Sequence, residues 1–257
     1  MSVYTTEIAS DQIPSDNPIH QRLLKAYYAA QPFVSGRLLE VGCGEGRGVS
    51  LLAPKSESYT AIDKIHEVVE KLQAQHPEVD FRQAMVPPFE GIADESFDTV
   101  VSFQVIEHIE DDALFLKEIH RVLKKGGKAI ISTPNIIKTL SRNPWHIREY
   151  TAEELRLLAN RYFDQIDTLG IGGNEKVWEY YHRNKKSVQA VMKYDFLNLQ
   201  YRLPAALLKI PYDIMNRRNR NKLKDVSDDL VKSISHQDYL LVKQPEEALD
   251  LFYVLTK

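Results

Sequence analysis

The sequence predicts an α/β fold with a doubly wound, mostly parallel sheet of seven strands and a helical cap insertion. Short apolar runs alternate with amphipathic helical segments along most of the chain. A glycine-rich loop, "LLEVGCGEGRG" at 38–48, follows the first apolar run directly. Glycine is used where the backbone must turn sharply or where a ligand must touch it. We therefore expect a ligand site where the strands end, since such sheets bind ligands at the carboxyl ends of their strands.

Seven segments have the composition of strands: 37–41, 59–63, 79–83, 97–103, 128–133, 163–169 and the last residues, "LDLFYVLTK". Helical periodicity covers 19–30, 46–52, 65–75 and 111–124, the last ended by Gly126 and Gly127. Thr151 and Glu154 have the spacing of a capping box, which predicts a helix after them.

This order divides the chain into an N-terminal arm and helix (1–35), a ligand-binding core (36–171), a helical insertion (172–240) and a strand that returns to the core sheet (241–257). The insertion carries 13 Lys and Arg against 8 Asp and Glu, and 6 of the 13 tyrosines. Its tract "NRRNRNKLK" (216–224) fits a helix end packed on the domain, and alternatively a surface that meets phosphates or an anionic membrane. The insertion is also a candidate homodimer surface.

Composition restricts the function classes. The net charge of −3 does not suggest a nucleic-acid-binding chain. The single cysteine, Cys43, rules out an internal disulfide bond and fits a reducing compartment. The first residues lack the features of a signal peptide, and we find no apolar run that approaches the length of a membrane span. These features together predict a cytoplasmic protein.

The glycine loop departs from the dinucleotide fingerprint G-x-G-x-x-G. Gly42 and Gly44 fit its first two positions, but Arg47 occupies the third. The pattern is instead E-x-G-x-G-x-G, from Glu40 to Gly46. A carboxylate beside the loop suits a ligand with a positive group, such as an amino-acid ammonium, better than a pyrophosphate.

Four motifs resemble those of class I S-adenosylmethionine-dependent methyltransferases that act on small molecules. They are the glycine loop, "AID" ending at Asp63, "FDTVVSFQVIEHI" and "RVLKKGGKAIISTPN", in this order and spacing. The resemblance covers about 38–133 and implies a Rossmann-like methyltransferase fold with S-adenosylmethionine as the cofactor. It implies that Asp63 binds both ribose hydroxyls, that Ala84 and Met85 lie at the adenine, and that Phe103 and Gln104 line the methionine end. The expected cofactor site is completed by Glu40, Gly42, Cys43, Gly44, Gly46 and Lys64.

Two segments carry candidates for the chemistry. His108 follows the fourth strand and is the first candidate for a general base, with Glu107 beside it as a substrate contact or orienting group. The segment "NPWHIREYT" (143–151) follows the fifth strand. There, His146 is a second base candidate, and Trp145, Arg148 and Tyr150 are expected to contact the acceptor, Arg148 by clamping an anionic group. The alternatives are that these residues cap or pack the fold. We expect no metal.

The sequence thus predicts transfer of a methyl group to an oxygen or nitrogen atom of a small or medium polar acceptor by in-line displacement. Three alternatives remain. The basic tract would suit a nucleic-acid methyltransferase, which the acidic remainder of the chain argues against. Arg47 argues against a nicotinamide-dependent oxidoreductase. The third alternative is a non-catalytic module that only binds the cofactor. It stays open because a methyltransferase that acts by proximity alone would carry the same motifs.

Overall fold

The computed structural model describes residues 13–195 and 197–257, so the predicted N-terminal arm lies largely outside the described residues. The strands are β1 (Arg37–Val41), β2 (Ser58–Asp63), β3 (Asp80–Gln83), β4 (Phe97–Phe103), β5 (Leu123–Pro134), β6 (Gln165–Gly173), β7 (Tyr239–Val242) and β8 (Asp250–Thr256). They form one sheet in the order β3-β2-β1-β4-β5-β8-β6-β7. Neighbouring strands from β3 to β5 pair in parallel, while β8 is antiparallel to both β5 and β6.

Helices connect and cover the strands: α1 (Asn17–Ala30), α2 (Val49–Leu52), α3 (His66–Gln75), α4 (Asp112–Val122), α5 (Ala152–Ala159), α6 (Glu175–Met192), α7 (Leu199–Arg202), α8 (Ala205–Val226) and α9 (Asp228–Ser233). Apolar residues of α1, α2, α3, α6 and α9 share one core layer with one face of the sheet. Residues of α4 and α5 share a second layer with the opposite face. This confirms the predicted doubly wound α/β fold.

The strand at β7 is additional to the seven that the sequence predicts. It is a four-residue strand at the sheet edge, antiparallel to β6. Strand β6 extends beyond the predicted end at 169 to Gly173. Gly170 and Ile171 pair with both β7 and β8, and Gly172 and Gly173 pair with β7 alone. The predicted helix 111–124 ends at Val122, since Leu123 already pairs with Phe97 in the sheet. The capping box of Thr151 and Glu154 is present.

Helices α6 to α9 occupy most of the predicted insertion, and they are tied to α1 and the turn before it. The buried carboxylate of Asp16 binds Arg217 and Arg220 of α8 at 2.7 and 3.1 Å. The side-chain amide of Asn17 donates to the carbonyls of Val231 and Ile234. Two of the five basic residues in the tract 216–224 therefore hold α8 on the core. None of the helices in the described part of the chain combines the length and apolar character needed to cross a bilayer.

Candidate functional site

A cavity of about 260 Å³ lies at the carboxyl ends of β1, β2 and β4, and we call it the first cavity. The structure brings most of the predicted cofactor residues to its wall. Nine of them line it: Gly42, Cys43, Gly44, Asp63, Lys64, Ala84, Met85, Phe103 and Gln104. The two remaining predicted residues, Glu40 and Gly46, lie outside the lining.

The backbone of the glycine loop forms one side of the first cavity. Gly42 and Gly44 both have positive φ angles, of 81° and 50°. A Cβ atom at Gly42 would lie 2.3 Å from Cγ2 of Val105, whereas one at Gly44 would meet no atom within 4 Å. The Gly42 amide donates to the carbonyl of Ile62 at 2.8 Å, which fixes the loop to the end of β2. The loop therefore turns tightly over the strand ends and leaves its backbone at Gly44 open to a ligand.

Asp63 ends β2 and faces this loop across the cavity. Its Oδ2 accepts the Gly44 amide at 2.9 Å, and its Oδ1 accepts the Ile65 amide at 3.0 Å. Each carboxylate oxygen has a second lone pair for a hydroxyl donor. The carboxylate is thus held in place by the loop and by the turn before α3, with remaining acceptor capacity at the cavity wall.

Glu40 corrects the sequence prediction. It is buried in β1, and its two carboxylate oxygens accept the hydroxyls of Tyr27, at 2.6 Å, and of Tyr59. The carboxylate is therefore bound to two tyrosines behind the cavity wall rather than presented to an ammonium group. Burial raises the pKa of Glu40 to about 7, against the opposing effect of the two tyrosine hydrogen bonds.

We expect Glu40 to make the fold less stable as pH rises. Its folded pKa lies above the unfolded value of 4.5, so the folded state binds the proton more tightly and stability is lost between about pH 5 and 7. Glu40→Gln removes this titration, which is worth on the order of 3 kcal/mol. Denaturant unfolding at pH 5 and pH 8 measures the difference, with the exposed Glu57→Gln as control. Equal pH dependence in Glu40→Gln and the wild type would contradict the assignment.

Gly46 and Cys43 both have packing roles that the geometry explains. A Cβ atom at Gly46 would lie 2.6 Å from the side chain of Leu72, so the glycine lets α3 approach the loop. Cys43 lines the cavity but is almost completely buried. Burial raises the pKa of its thiol far above the usual range, which keeps it protonated and unreactive.

Helix α1 supplies cavity residues that the sequence does not reveal. Leu23 and Tyr27 line the first cavity, and the Tyr27 ring meets Phe103 edge-on with centroids 4.8 Å apart. Their spacing of four residues was the available signal, but it is equally the signal of a helix packed on a core. Arg47 also lines the cavity; its side chain binds Glu45 and His20.

A second cavity, of about 270 Å³, adjoins the first and shares Leu23, Gln104 and His108 with it. Its floor is the end of β4 and β5, and α1, α6 and α8 close over it. Neutral hydrogen-bonding side chains dominate its wall: Gln104, Asn135, Asn143, Asn184, Asn216, Asn219, Tyr180, Tyr181, Tyr212 and Tyr239. The two cavities therefore lie side by side and meet at Leu23, Gln104 and His108.

Charged groups in the second cavity are mostly paired. Arg22 of α1 lies 3.2 Å from the buried carboxylate of Asp250, and Arg220 binds Asp16. Burial raises the pKa of Asp250 to about 6, although Arg22 opposes the shift. Sequence analysis missed Arg22 and Asp250, since they are distant in the chain and meet only through the fold.

His108 stands at the junction of the two cavities. Its Nδ1 lies 2.9 Å from the carbonyl oxygen of Trp145. A carbonyl can only accept, so Nδ1 carries the proton and the lone pair of the neutral ring is on Nε2. The segment after β5 thus sets the tautomer of His108.

His146 lies beside His108, with ring centroids 4.9 Å apart, and both of its nitrogens have partners. Nδ1 contacts Glu149 at 2.6 Å, and Nε2 contacts the side-chain amide of Asn143 at 2.8 Å. The Asn143 oxygen accepts the Trp145 amide, so its nitrogen donates to Nε2. Because the basic nitrogen of His146 already accepts a hydrogen bond, this side chain is better suited to holding the segment 143–151 in place than to accepting a proton from a substrate.

Glu107 lines the second cavity, although it is almost completely buried. It accepts the Thr133 hydroxyl at 2.9 Å, and its backbone carbonyl accepts the amides of Ile147 and Arg148. Glu107, His108 and His146 bring candidate metal-ligand atoms within 4.8 Å of one another. For His146 to join a metal through Nε2, its contact to Asn143 would have to break, whereas the contact of Nδ1 to Glu149 could remain.

The structure does not bring Trp145, Arg148 or Tyr150 to the wall of the second cavity. The Trp145 indole donates to Asp213 and lies under Lys209 of α8, with Nζ 4.0 Å from the ring centroid. Tyr150 is fully buried in the core, and Arg148 faces outward; both bind Asp112 of α4. The predicted acceptor contacts of these three side chains are therefore replaced by contacts that fix the segment.

Comparison with known proteins agrees with this architecture. Residues 39–131 match the model of a methyltransferase domain family. A probable S-adenosylmethionine-dependent methyltransferase of Mycolicibacterium smegmatis is 41% identical over 140 residues, which are 52% of this chain and 54% of that protein. A probable S-adenosylmethionine-dependent methyltransferase of Mycobacterium tuberculosis is 36% identical over 174 residues, 65% of this chain and 63% of that protein.

A solved structure extends the likeness in fold to most of the chain. An S-adenosylmethionine-dependent methyltransferase of Thermotoga maritima, described as a possible histamine N-methyltransferase, superimposes with a TM-score of 0.58 at 17% identity, covering 95% of this chain and 91% of that one. The mycobacterial relatives are matched over 54% and 63% of their own lengths. The glycine loop, the strand order and these matches together make residues 39–131 similar to the methyltransferase domain of S-adenosylmethionine-dependent enzymes.

Proposed function

We propose that this protein transfers the methyl group of S-adenosylmethionine, bound in the first cavity, to a polar acceptor bound in the second. The observation that carries the proposal is the junction of the two cavities at Gln104 and His108. A cofactor and an acceptor in these spaces would approach each other there, at the end of β4. Methyl transfer needs this alignment more than any other contribution from the protein.

When bound, S-adenosylmethionine supplies an activated methyl group and a neutral thioether leaving group. The chain would position the cofactor. The Asp63 carboxylate would accept hydrogen bonds from the ribose hydroxyls, and Gly44 would let the backbone approach the cofactor. Tyr27 and Phe103 would border its methionine end. His108 takes the acceptor proton on Nε2, because the Trp145 carbonyl holds the Nδ1 proton. His146 keeps that segment in place through Glu149 and Asn143 and is a positioning residue.

The lining of the second cavity supports an acceptor with several hydroxyl groups. Amide and phenol side chains can both donate and accept, as neutral hydroxyl compounds require. The pairing of Arg22 with Asp250 and of Arg220 with Asp16 weakens the case for an anionic acceptor. We propose O-methylation, with α6 to α9 and α1 acting as the cap that selects the acceptor.

Calorimetric titration of the purified protein with S-adenosylmethionine, and separately with NAD, tests the cofactor step. We expect binding at micromolar strength for the first and none for the second. S-adenosylhomocysteine release in the presence of polyhydroxyl, phenolic and amine compounds then tests the acceptor class. Binding of NAD instead, or turnover with amines alone, would contradict the proposal in its first or second part respectively.

A further inference from the structure

An apolar groove of about 150 Å³ lies between α6 and α8. Val188, Met192, Leu208, Pro211 and Met215 line it, and we call it the α6–α8 groove. It shares Ser141, Val188, Tyr212, Asn216 and Asn219 with the second cavity. A polar chamber thus adjoins an apolar groove, an arrangement complementary to an amphiphile with a polar head and a hydrocarbon chain.

The outer surface around this groove is unusually apolar. Among the described residues, 17 large apolar or tyrosine side chains are exposed, and nine of these 17 lie within residues 191–215. On α8, Leu207, Ile210 and Ile214 project from one face and are 64%, 73% and 53% exposed. Tyr194 and Tyr201 lie on the segment between α6 and α8 and are also exposed. Clustered exposure of this kind marks an interaction surface.

The same segment is strongly basic. Residues 185–222 contain nine Lys and Arg but only two Asp, while the whole chain has a net charge of −3. Two of the nine, Arg217 and Arg220, pair with Asp16 and hold α8 on the core. Both aspartates are engaged within the protein, Asp195 with the amides of Leu199 and Gln200 and Asp213 with Trp145. Arg218 and Lys222 continue the exposed face of α8 beyond Ile214. Apolar residues flanked by basic ones are typical of helices that lie on anionic membranes.

We propose that the surface of residues 185–222 rests on an anionic lipid bilayer, and that the methyl acceptor is an amphiphile whose hydrocarbon chain occupies the α6–α8 groove. This proposal rests on the proposed function, because it places the acceptor's polar head in the second cavity. The bilayer meets both features of the surface: its acyl region takes Leu207, Ile210 and Ile214, and its anionic headgroups take exposed basic residues such as Arg218 and Lys222. The groove then gives the acceptor a route from the lipid to His108.

The charge and the apolar residues of this surface argue against two other occupants. A second copy of the chain would bring its own excess of positive charge against that of the first. RNA would satisfy the charge but would leave three aliphatic side chains of α8 in contact with phosphates and sugars. An anionic bilayer alone is complementary to the apolar and the basic residues together.

Co-sedimentation of the full chain with phosphatidylcholine vesicles, with and without phosphatidylglycerol, tests the membrane contact. We expect binding only to the anionic vesicles. The triple variant Leu207→Gln, Ile210→Gln, Ile214→Gln should weaken it at least about a hundredfold. Arg218→Gln with Lys222→Gln should weaken it about thirtyfold. Matched controls at exposed positions elsewhere, Ile147→Gln with Leu157→Gln and Lys55→Gln with Lys71→Gln, should leave it unchanged.

Each outcome decides the proposal. If the wild-type protein binds S-adenosylmethionine but not anionic vesicles, the membrane proposal is wrong and the proposed function stands. If the wild-type protein does not bind S-adenosylmethionine, the proposed function itself is wrong. A dimer in solution that the triple Gln variant converts to monomer would assign the surface to a second copy. Binding to RNA that the triple variant does not weaken would assign it to nucleic acid.

The groove is tested separately with a dansyl-labelled undecanol as the probe, whose hydroxyl head is neutral like that of the proposed acceptor. Leu208 lines the groove but not the second cavity. Leu208→Trp should fill the groove and weaken probe binding about tenfold, while S-adenosylmethionine binds as in the wild type. Wild-type protein that does not bind the probe, or a variant that binds it equally well, would overturn the assignment of the groove.

Discussion

Asp63→Ala is expected to weaken S-adenosylmethionine binding about a hundredfold, close to 3 kcal/mol. Loss of a hydrogen bond to a charged group costs about 1.5–3 kcal/mol, and the proposed contact contains two of them. The structure adds a second reason, because the same carboxylate accepts the Gly44 amide. Its removal therefore also releases the backbone that the cofactor would touch.

Calorimetry of the wild type, Asp63→Ala and Asp63→Asn separates these two effects. Asn keeps an acceptor for one of the two backbone amides but removes the charge, so we expect it to fall between the other two. Asp80→Ala serves as the control, since Asp80 is exposed on β3 and pairs with Arg82. Asp63→Ala that binds the cofactor as well as the wild type would show that the first cavity is not its site.

The parts of this site that the sequence predicts are those with a local cause. A buried strand followed by closely spaced glycines determines the loop, and an acidic residue at the end of the next strand meets it. The family resemblance therefore placed Gly44 and Asp63 in one cofactor site, although 19 residues separate them. The parallel pairing of β1 with β2 brings them together. The doubly wound fold follows from the same alternation of strands and helices.

Glu40 shows why other parts could not be predicted. Its position beside the loop was correctly located in sequence, but its partners, Tyr27 and Tyr59, come from a helix before β1 and from the neighbouring strand. Neither the sequence of the helix nor that of the strand shows by itself that its tyrosine will bind this buried carboxylate. The carboxylate consequently stabilises the contact between α1 and the sheet, and Tyr27, not Glu40, lines the cavity.

The segment 143–151 gives the same lesson for the acceptor side. Its residue types suggested direct contact with a substrate, yet Arg148 and Tyr150 turn to Asp112 on α4, and Trp145 turns to α8. Side-chain direction in an irregular loop depends on backbone angles that residue type does not determine. The feature of this segment that bears on the chemistry is a backbone carbonyl, that of Trp145, which sequence cannot distinguish from any other.

His108→Gln is the second variant for which we expect a large effect, a fall in kcat of about a hundredfold to a thousandfold. A positioned general base contributes on this order, and Gln cannot accept the proton. S-adenosylmethionine should bind within about twofold of the wild type, since His108 only borders the first cavity. His120→Gln is the matched control, because His120 lies on α4 against Phe163, away from both cavities.

A solvent deuterium isotope effect distinguishes a base from a residue that only positions the acceptor. With an acceptor found by screening, kcat of the wild type should fall in deuterated water because a proton moves to the base during methyl transfer, and this effect should be absent in His108→Gln. His146→Gln should instead lower kcat while the isotope effect persists, because it disturbs only the segment that orients His108. A His108→Gln variant with reduced kcat but an unchanged isotope effect would assign the proton transfer to another group and leave His108 as a positioning residue at the junction of the cavities.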